Sequence, residues 1–84
     1  MQIVYSTRAE EDRKYWKKSN PKILKRINVL LANIKLHPYT GIGKPERLRF
    51  EKSGYWSRRI DAEHRLVYKV VDDKIYVAQC RYHY

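Results

Sequence analysis

The chain is poor in cysteine, glycine and proline, with one Cys, three Gly and three Pro in 84 residues. A lone thiol, Cys80, can neither close an internal disulfide nor build a thiolate zinc cluster. With so few chain breakers there is no linker and no low-complexity tract, and residues 1–84 read as one domain. Long apolar runs are missing too. None approaches a membrane span, and the opening Met1-Gln2-Ile3-Val4-Tyr5 lacks a signal-peptide layout, so a cytoplasmic location and no membrane partner are expected. Acidic residues are scarce: nine Asp and Glu stand against nineteen Lys and Arg, a net charge of +10. No carboxylate cluster has metal-ligand spacing, which disfavours a divalent-metal nuclease, and neither metal nor cofactor is expected.

What remains is a basic chain with a 43% hydrophobic share, enough for one modest core. The charge favours a polyanionic partner, either nucleic acid or an acidic protein. Ile3-Val4-Tyr5 reads as a first strand. Thr7-Arg8-Ala9-Glu10 fits a capping box for a helix to about Lys18 that turns Ala9, Tyr15 and Trp16 inward. Asn20-Pro21 opens a second helix, whose Ile23, Leu24, Ile27, Leu30, Leu31 and Ile34 recur on one face, and His37-Pro38 stops it. Lys17, Lys18, Lys22, Lys25 and Arg26 form a basic run opposite, read as a solvated face. Gly41-Ile42-Gly43-Lys44 lacks the spacing of a phosphate-binding loop and precedes a proline and a strand. Strands are expected at Glu46–Phe50 and near 55–60, 65–71 and 75–83.

The last hairpin leaves two registers open. A two-residue turn on Asp72-Asp73 sets Val71 opposite Lys74 and puts Arg65 on the face away from His83. A three-residue loop, Asp72 to Lys74, sets Val71 opposite Ile75 and collects Arg65, Val67, Gln79, Arg81 and His83 on one face. It leaves Leu66, Tyr68, Val70, Tyr76, Ala78 and Cys80 for the helices. The three-residue loop is preferred because it sorts polar from apolar residues. A three-residue turn from Asp61 to Glu63 adds Arg59 to the polar face and leaves Trp56 and Ile60 for the core. Glu46 and Arg49 would fall on opposite faces of a regular strand, so Glu46 is expected to project from the loop end.

Glu46, Arg49, Arg59, Arg65, Arg81 and His83 supply the parts for metal-free RNA cleavage. In that reaction the 2′-hydroxyl attacks its own phosphate. It needs a base, cations for the charge growing on the phosphorane, and an acid for the departing 5′-oxygen. A carboxylate, guanidiniums and an imidazole fit those roles. The same residues also fit a non-catalytic basic module that binds RNA or the ribosome. His64 and His37 read as turn and helix-end residues.

Four stretches decide between these readings: Gly43-Lys44-Pro45-Glu46, Gly54-Tyr55-Trp56-Ser57-Arg58-Arg59-Ile60, Glu63-His64-Arg65-Leu66-Val67-Tyr68 and Cys80-Arg81-Tyr82-His83-Tyr84. Through them the whole chain resembles the YoeB family of the RelE-like toxin superfamily, bacterial ribosome-dependent mRNA endonucleases. The resemblance implies an α+β fold of the microbial ribonuclease type, with two N-terminal helices packed on an antiparallel sheet. It implies cleavage of mRNA in the ribosomal A site and neutralisation by a YefM-like antitoxin, with promoter DNA bound only through the toxin–antitoxin complex. It places the general base on Glu46, a phosphate-stabilising arginine on Arg65, the general acid on His83 and a substrate-holding residue on Tyr84. Arg59 takes a supporting role, and Arg49 stands where the family often has lysine. Tyr39, Tyr82 and Tyr84 are left to stack bases or to form the seam of a homodimer.

Overall fold

Gln2–Tyr5 forms β1, which ends where Ser6 donates its backbone N–H to Val77 O (2.9 Å). This extended residue then becomes the helix cap: Ser6 Oγ accepts from Ala9 N (3.0 Å), and α1 runs over Thr7–Ser19. The cap is therefore Ser6 rather than the expected Thr7, because strand pairing holds the chain extended to that residue. Helix α2, Pro21–Leu36, starts with proline at its first turn and ends at His37, as the sequence indicates. Its Ile27, Leu30, Leu31 and Ile34 are buried and meet Ala9 and Trp16 of α1 in one core. Tyr15, expected inward, is exposed.

The computed structural model describes residues 1–83, and the Tyr84 expectation lies outside the described residues. The remaining strands are β2 (Glu46–Arg47), β3 (Trp56–Arg59), β4 (Arg65–Val71) and β5 (Lys74–Gln79). The sheet order is β1-β5-β4-β3-β2. Four strands are antiparallel as expected, but β1 lies parallel to β5, so the sheet is mixed. The fold is α+β, with both helices packed against the sheet core. No helix among the described residues is long and apolar enough to cross a membrane.

Three strand expectations need correction. The strand at 46–50 is only two residues long, because Phe50 takes a left-handed φ of 59° and opens a short 3₁₀ turn, Phe50–Lys52. The last strand stops at Gln79, not 83. Asp12 Oδ2 accepts from Cys80 N (3.0 Å) and Trp16 Nε1 donates to Cys80 O (2.9 Å), so α1 takes both backbone groups that would have continued the ladder. The last hairpin turns on two residues: Asp72 and Asp73 both have positive φ (49° and 62°), and Val71 pairs with Lys74.

That register puts Ile75 and Val77 into the core in place of the expected Tyr76 and Ala78. Tyr76 instead pairs with Lys69, whose ammonium sits over the Tyr55 and Tyr76 rings. A β-bulge then intervenes. Tyr68 pairs with Val77 but Val67 pairs with Gln79, so Ala78 is the extra residue. The slip of one restores, beyond the bulge, the alternation that the three-residue loop would have given. Arg65 thus shares a face with Val67 and Gln79 by a different device. The turn after β3 is the expected three-residue one, with Ile60 N bonded to His64 O (3.0 Å) and Ile60 buried.

Cys80 is fully buried, and burial, followed by the nearby Asp12 carboxylate, pushes its thiol up to about 12 from an ordinary value of 9.0. The native thiol is therefore expected to resist a thiol-specific disulfide reagent at pH 8 until the chain unfolds. A thiol with a raised folded pKa keeps its proton in the native state while the unfolded chain loses it. Stability should accordingly fall as pH rises from about 9 to 12, by ~1.4 kcal/mol per pH unit from this group. Urea unfolding of Cys80→Ala across that range should show a shallower decline by that amount; equal slopes would refute the assignment.

Candidate active site

The face of the sheet away from the helices is built from paired rows. Glu46 pairs with Ser57, Ser57 with Val67, and Val67 with Gln79. One step along, Arg59 pairs with Arg65. Directly paired residues share a side and alternate residues return to it, so Glu46, Arg59 and Arg65 lie on one face. Glu46 and Arg59 are diagonal neighbours, about 7–8 Å apart at Cα. Glu46 and Arg65 are two strands and two residues apart, on the order of 12 Å at ordinary sheet spacings.

Glu46 is exposed and belongs to β2 itself, where it was expected to project from the loop end. The loop before it is anchored by Arg59 N donating to Gly43 O (2.7 Å). Arg49 is exposed just past β2, and the backbone turn there removes the strand alternation that would have set it opposite Glu46. Together with Phe50, which is 91% exposed, these residues line a groove of about 450 Å³.

Arg65 is buried on this face and its direction is fixed. Its Nη1 donates to Asp61 O (2.9 Å), His64 O (3.1 Å) and Ala62 O (3.4 Å), all carbonyls of the turn before β4. A guanidinium tied at one nitrogen is aimed before any anion arrives. The turn is itself held by Asp61 Oδ1, which accepts from Glu63 N (2.9 Å) and His64 N (2.7 Å).

The chain after β5 returns to this corner. Arg65 N donates to Tyr82 O (3.0 Å), and Tyr82 has a left-handed φ of 67°. His83 follows directly and is exposed. Arg81, expected on the polar face, is not gathered there. Its guanidinium stacks 3.4 Å above the Tyr15 ring and 4.5 Å from the Tyr82 ring, and Arg8 Nη2 donates to its carbonyl (3.4 Å). Cys80 is bonded to α1, and the next residue, Arg81, lies against Tyr15 of the same helix.

Two residues that sequence reading passed over hold this geometry. Arg58 is fully buried on the helix side of β3. There it donates to Asn33 Oδ1 (2.6 Å), Ile42 O (3.1 Å), Thr40 O (2.7 Å), His37 O and Tyr68 Oη (3.2 Å). Tyr68 continues the chain to Pro38 O (2.6 Å), and burial raises its phenol pKa. The glycines of the 41–43 loop belong to this arrangement: a Cβ on Gly41 would lie 2.1 Å from Asn33 Oδ1, and one on Gly43 2.8 Å from Leu30 Cδ2. The only hint in the sequence was Arg58's place between two outward-facing positions of a strand. The second residue is His64, expected as a plain turn residue. It is buried, packs edge-on against Trp16 at 4.7 Å, and its Nδ1 accepts from Tyr82 N (2.7 Å). His37 is the expected helix end, with its N–H on Asn33 O (2.8 Å).

Comparison with known proteins gives the same fold and order of elements. A YoeB toxin of Streptomyces coelicolor is 51% identical over 84 residues, covering all of both chains. A YoeB/ParE toxin from Agrobacterium tumefaciens superposes with a TM-score of 0.97 at 42% identity, again over the whole of both chains. The Staphylococcus aureus YoeB, solved in complex with YefM, gives 0.93 at 49% identity, with all of this chain and 98% of that one covered. A Staphylococcus aureus YoeB solved as a dimer gives 0.94 at 48% identity over the same shares. Residues 5–84 match the family model of YoeB-like toxins. The chain belongs to the YoeB-like toxins of bacterial type II toxin–antitoxin systems.

Proposed function

We propose that this toxin is a metal-free, ribosome-dependent mRNA endoribonuclease acting in the ribosomal A site. The observation that supports it most is the shared face of Glu46, Arg59 and Arg65, with the tail to His83 bonded alongside through Arg65 N and Tyr82 O. Glu46 takes the 2′-hydroxyl proton, and the freed oxygen attacks the adjacent phosphorus. Arg65, aided by Arg59 and Arg49, holds the charge that grows on the phosphorane. His83 protonates the departing 5′-oxygen. The products are a 2′,3′-cyclic phosphate and a 5′-hydroxyl. Tyr84 holds substrate, and Arg81 enters only by stiffening the tail. The 2′-hydroxyl requirement confines the activity to RNA.

A cytoplasmic toxin of net charge +10 invites an acidic inhibitor. A YefM-like antitoxin laid over the basic face would satisfy its arginines and exclude mRNA. Promoter DNA is bound through that complex, and the free toxin pairs with a second copy. The ribosome serves to orient the mRNA, so free RNA is expected to be cleaved at least ~10²-fold more slowly than RNA on programmed ribosomes. Single-turnover cleavage assays with both substrates, run beside His83→Gln, test this reading. The variant should bind ribosomes and the antitoxin but release no cyclic-phosphate product and spare cells. Ribosome binding without any cleavage by the unaltered toxin would instead leave a non-catalytic basic module.

A further inference from the structure

The tail that carries His83 leaves the last strand after Gln79 and is not itself a strand over residues 80–83. Hydrogen bonds at Cys80 and Tyr82 hold it in place. Asp12 and Trp16 hold the N–H and C=O of Cys80, while His64 and Arg65 hold the N–H and C=O of Tyr82. The second pair lies one residue from His83. Tyr82 has a φ of 67°, a conformation that a tyrosine seldom adopts unless its surroundings impose it. Its amide nitrogen is an obligatory donor, so the partner atom, His64 Nδ1, must present a lone pair. With Nδ1 accepting, the ring's N–H lies at Nε2, the edge that is 3.6 Å from Glu63 Oε1. Trp16 packs edge-on against the ring, and Asp61 accepts from the His64 backbone N–H.

We propose that His64 is a positioning residue for the cleavage reaction: through Nδ1 it fixes the Tyr82 amide and so sets the backbone direction from which His83 meets the leaving oxygen. This rests on the ribonuclease reading above. His64 itself touches no reacting atom. Its role follows from the steep dependence of proton transfer on placement, where a displacement of about 1 Å can cost on the order of 10² in rate.

Two substitutions separate positioning from packing. His64→Leu keeps an apolar side chain against Trp16 but offers no acceptor. His64→Asn sets Oδ1 where Nδ1 stood and restores one. In cleavage on programmed ribosomes, His64→Leu is expected to lower kcat by about 10- to 100-fold with KM within about twofold, and His64→Asn to recover most of that loss. Amide hydrogen exchange read by nuclear magnetic resonance supplies an independent measure. The Tyr82 amide should lose protection in His64→Leu and keep it in His64→Asn, and the imidazole nitrogens of the unaltered toxin should report the Nε2–H tautomer. A folded His64→Leu toxin with unchanged kcat would overturn the proposal. So would equal losses in both variants, which would mark His64 as packing alone. An unaltered toxin that never cleaves would remove the ribonuclease reading, and this role for His64 with it. The Tyr82 exchange data would then still show whether the hydrogen bond forms.

Discussion

Replacing Arg58 with alanine is expected to destabilise the toxin by about 3–5 kcal/mol, as removal of one partner from a buried charged network does. The side chain is fully buried, and among the described residues no carboxylate is paired with it. Its charge is solvated instead by the carbonyls of His37, Thr40 and Ile42, the Asn33 amide oxygen and the Tyr68 hydroxyl. Alanine would leave those acceptors facing one another across a void without the donors that Arg58 supplied, Asn33 Oδ1 alone keeping a second one from Ile42 N (3.1 Å). A domain of this length has a total stability on the order of 4–12 kcal/mol, so the loss consumes much of it. The melting temperature should drop by roughly 15–30 °C. Lysine offers a point charge with three donors where a planar fork reached five acceptors, and should recover only part. Thermal unfolding of the three proteins checks this, and an alanine variant within about 1 kcal/mol of the unaltered toxin would refute it. The damage should also reach the site. The 37–42 loop leads into Gly43, whose carbonyl holds Arg59, and then into Glu46.

The fate of Arg58 shows where sequence reading fails. Helix α2 was legible because its stripe of Ile27, Leu30, Leu31 and Ile34 is a local pattern, decided within sixteen residues. The three-residue turn after β3 was legible because it alone sorts Ile60 inward and Arg59 outward. A buried arginine answered by backbone carbonyls has no such signature, since carbonyls belong to every residue. The last hairpin illustrates a second limit. Sorting by polarity correctly assigns Arg65 to the face of Val67 and Gln79, yet for the wrong reason. Two errors, a misjudged loop length and an unseen bulge at Ala78, cancel beyond the bulge and leave Tyr76 misplaced before it. Polarity reports which side a residue faces and not how the backbone arrives there. Arg81 and the tail failed for a third reason. Capture of Cys80 by Asp12 and Trp16 is a contact between residues more than sixty positions apart, and strand alternation carries no information about it.

The second large effect concerns Glu46 and separates chemistry from stability most cleanly. Its side chain is exposed, and its place in β2 is set by pairing with Ser57, so Glu46→Gln should leave unfolding free energy within about 0.5 kcal/mol of the unaltered toxin. The amide is nearly the same shape but cannot accept the 2′-hydroxyl proton, and cleavage on programmed ribosomes should fall by about 10²–10⁴-fold. Ribosome and antitoxin binding should persist, while toxicity to cells disappears. Arg65→Lys gives the contrasting pattern. Arg65 is buried, and its Nη1 ties three turn carbonyls. Lysine should therefore lower stability by about 1–3 kcal/mol as well as rate, because the fork that aims the charge also closes the turn. Parallel rate and unfolding measurements on the two variants distinguish a base from a generally acidic surface position. If Glu46→Gln cleaves at the unaltered rate while His83→Gln does not, proton removal belongs to another group, and the shared face of Glu46, Arg59 and Arg65 would serve to bind mRNA without opening its backbone.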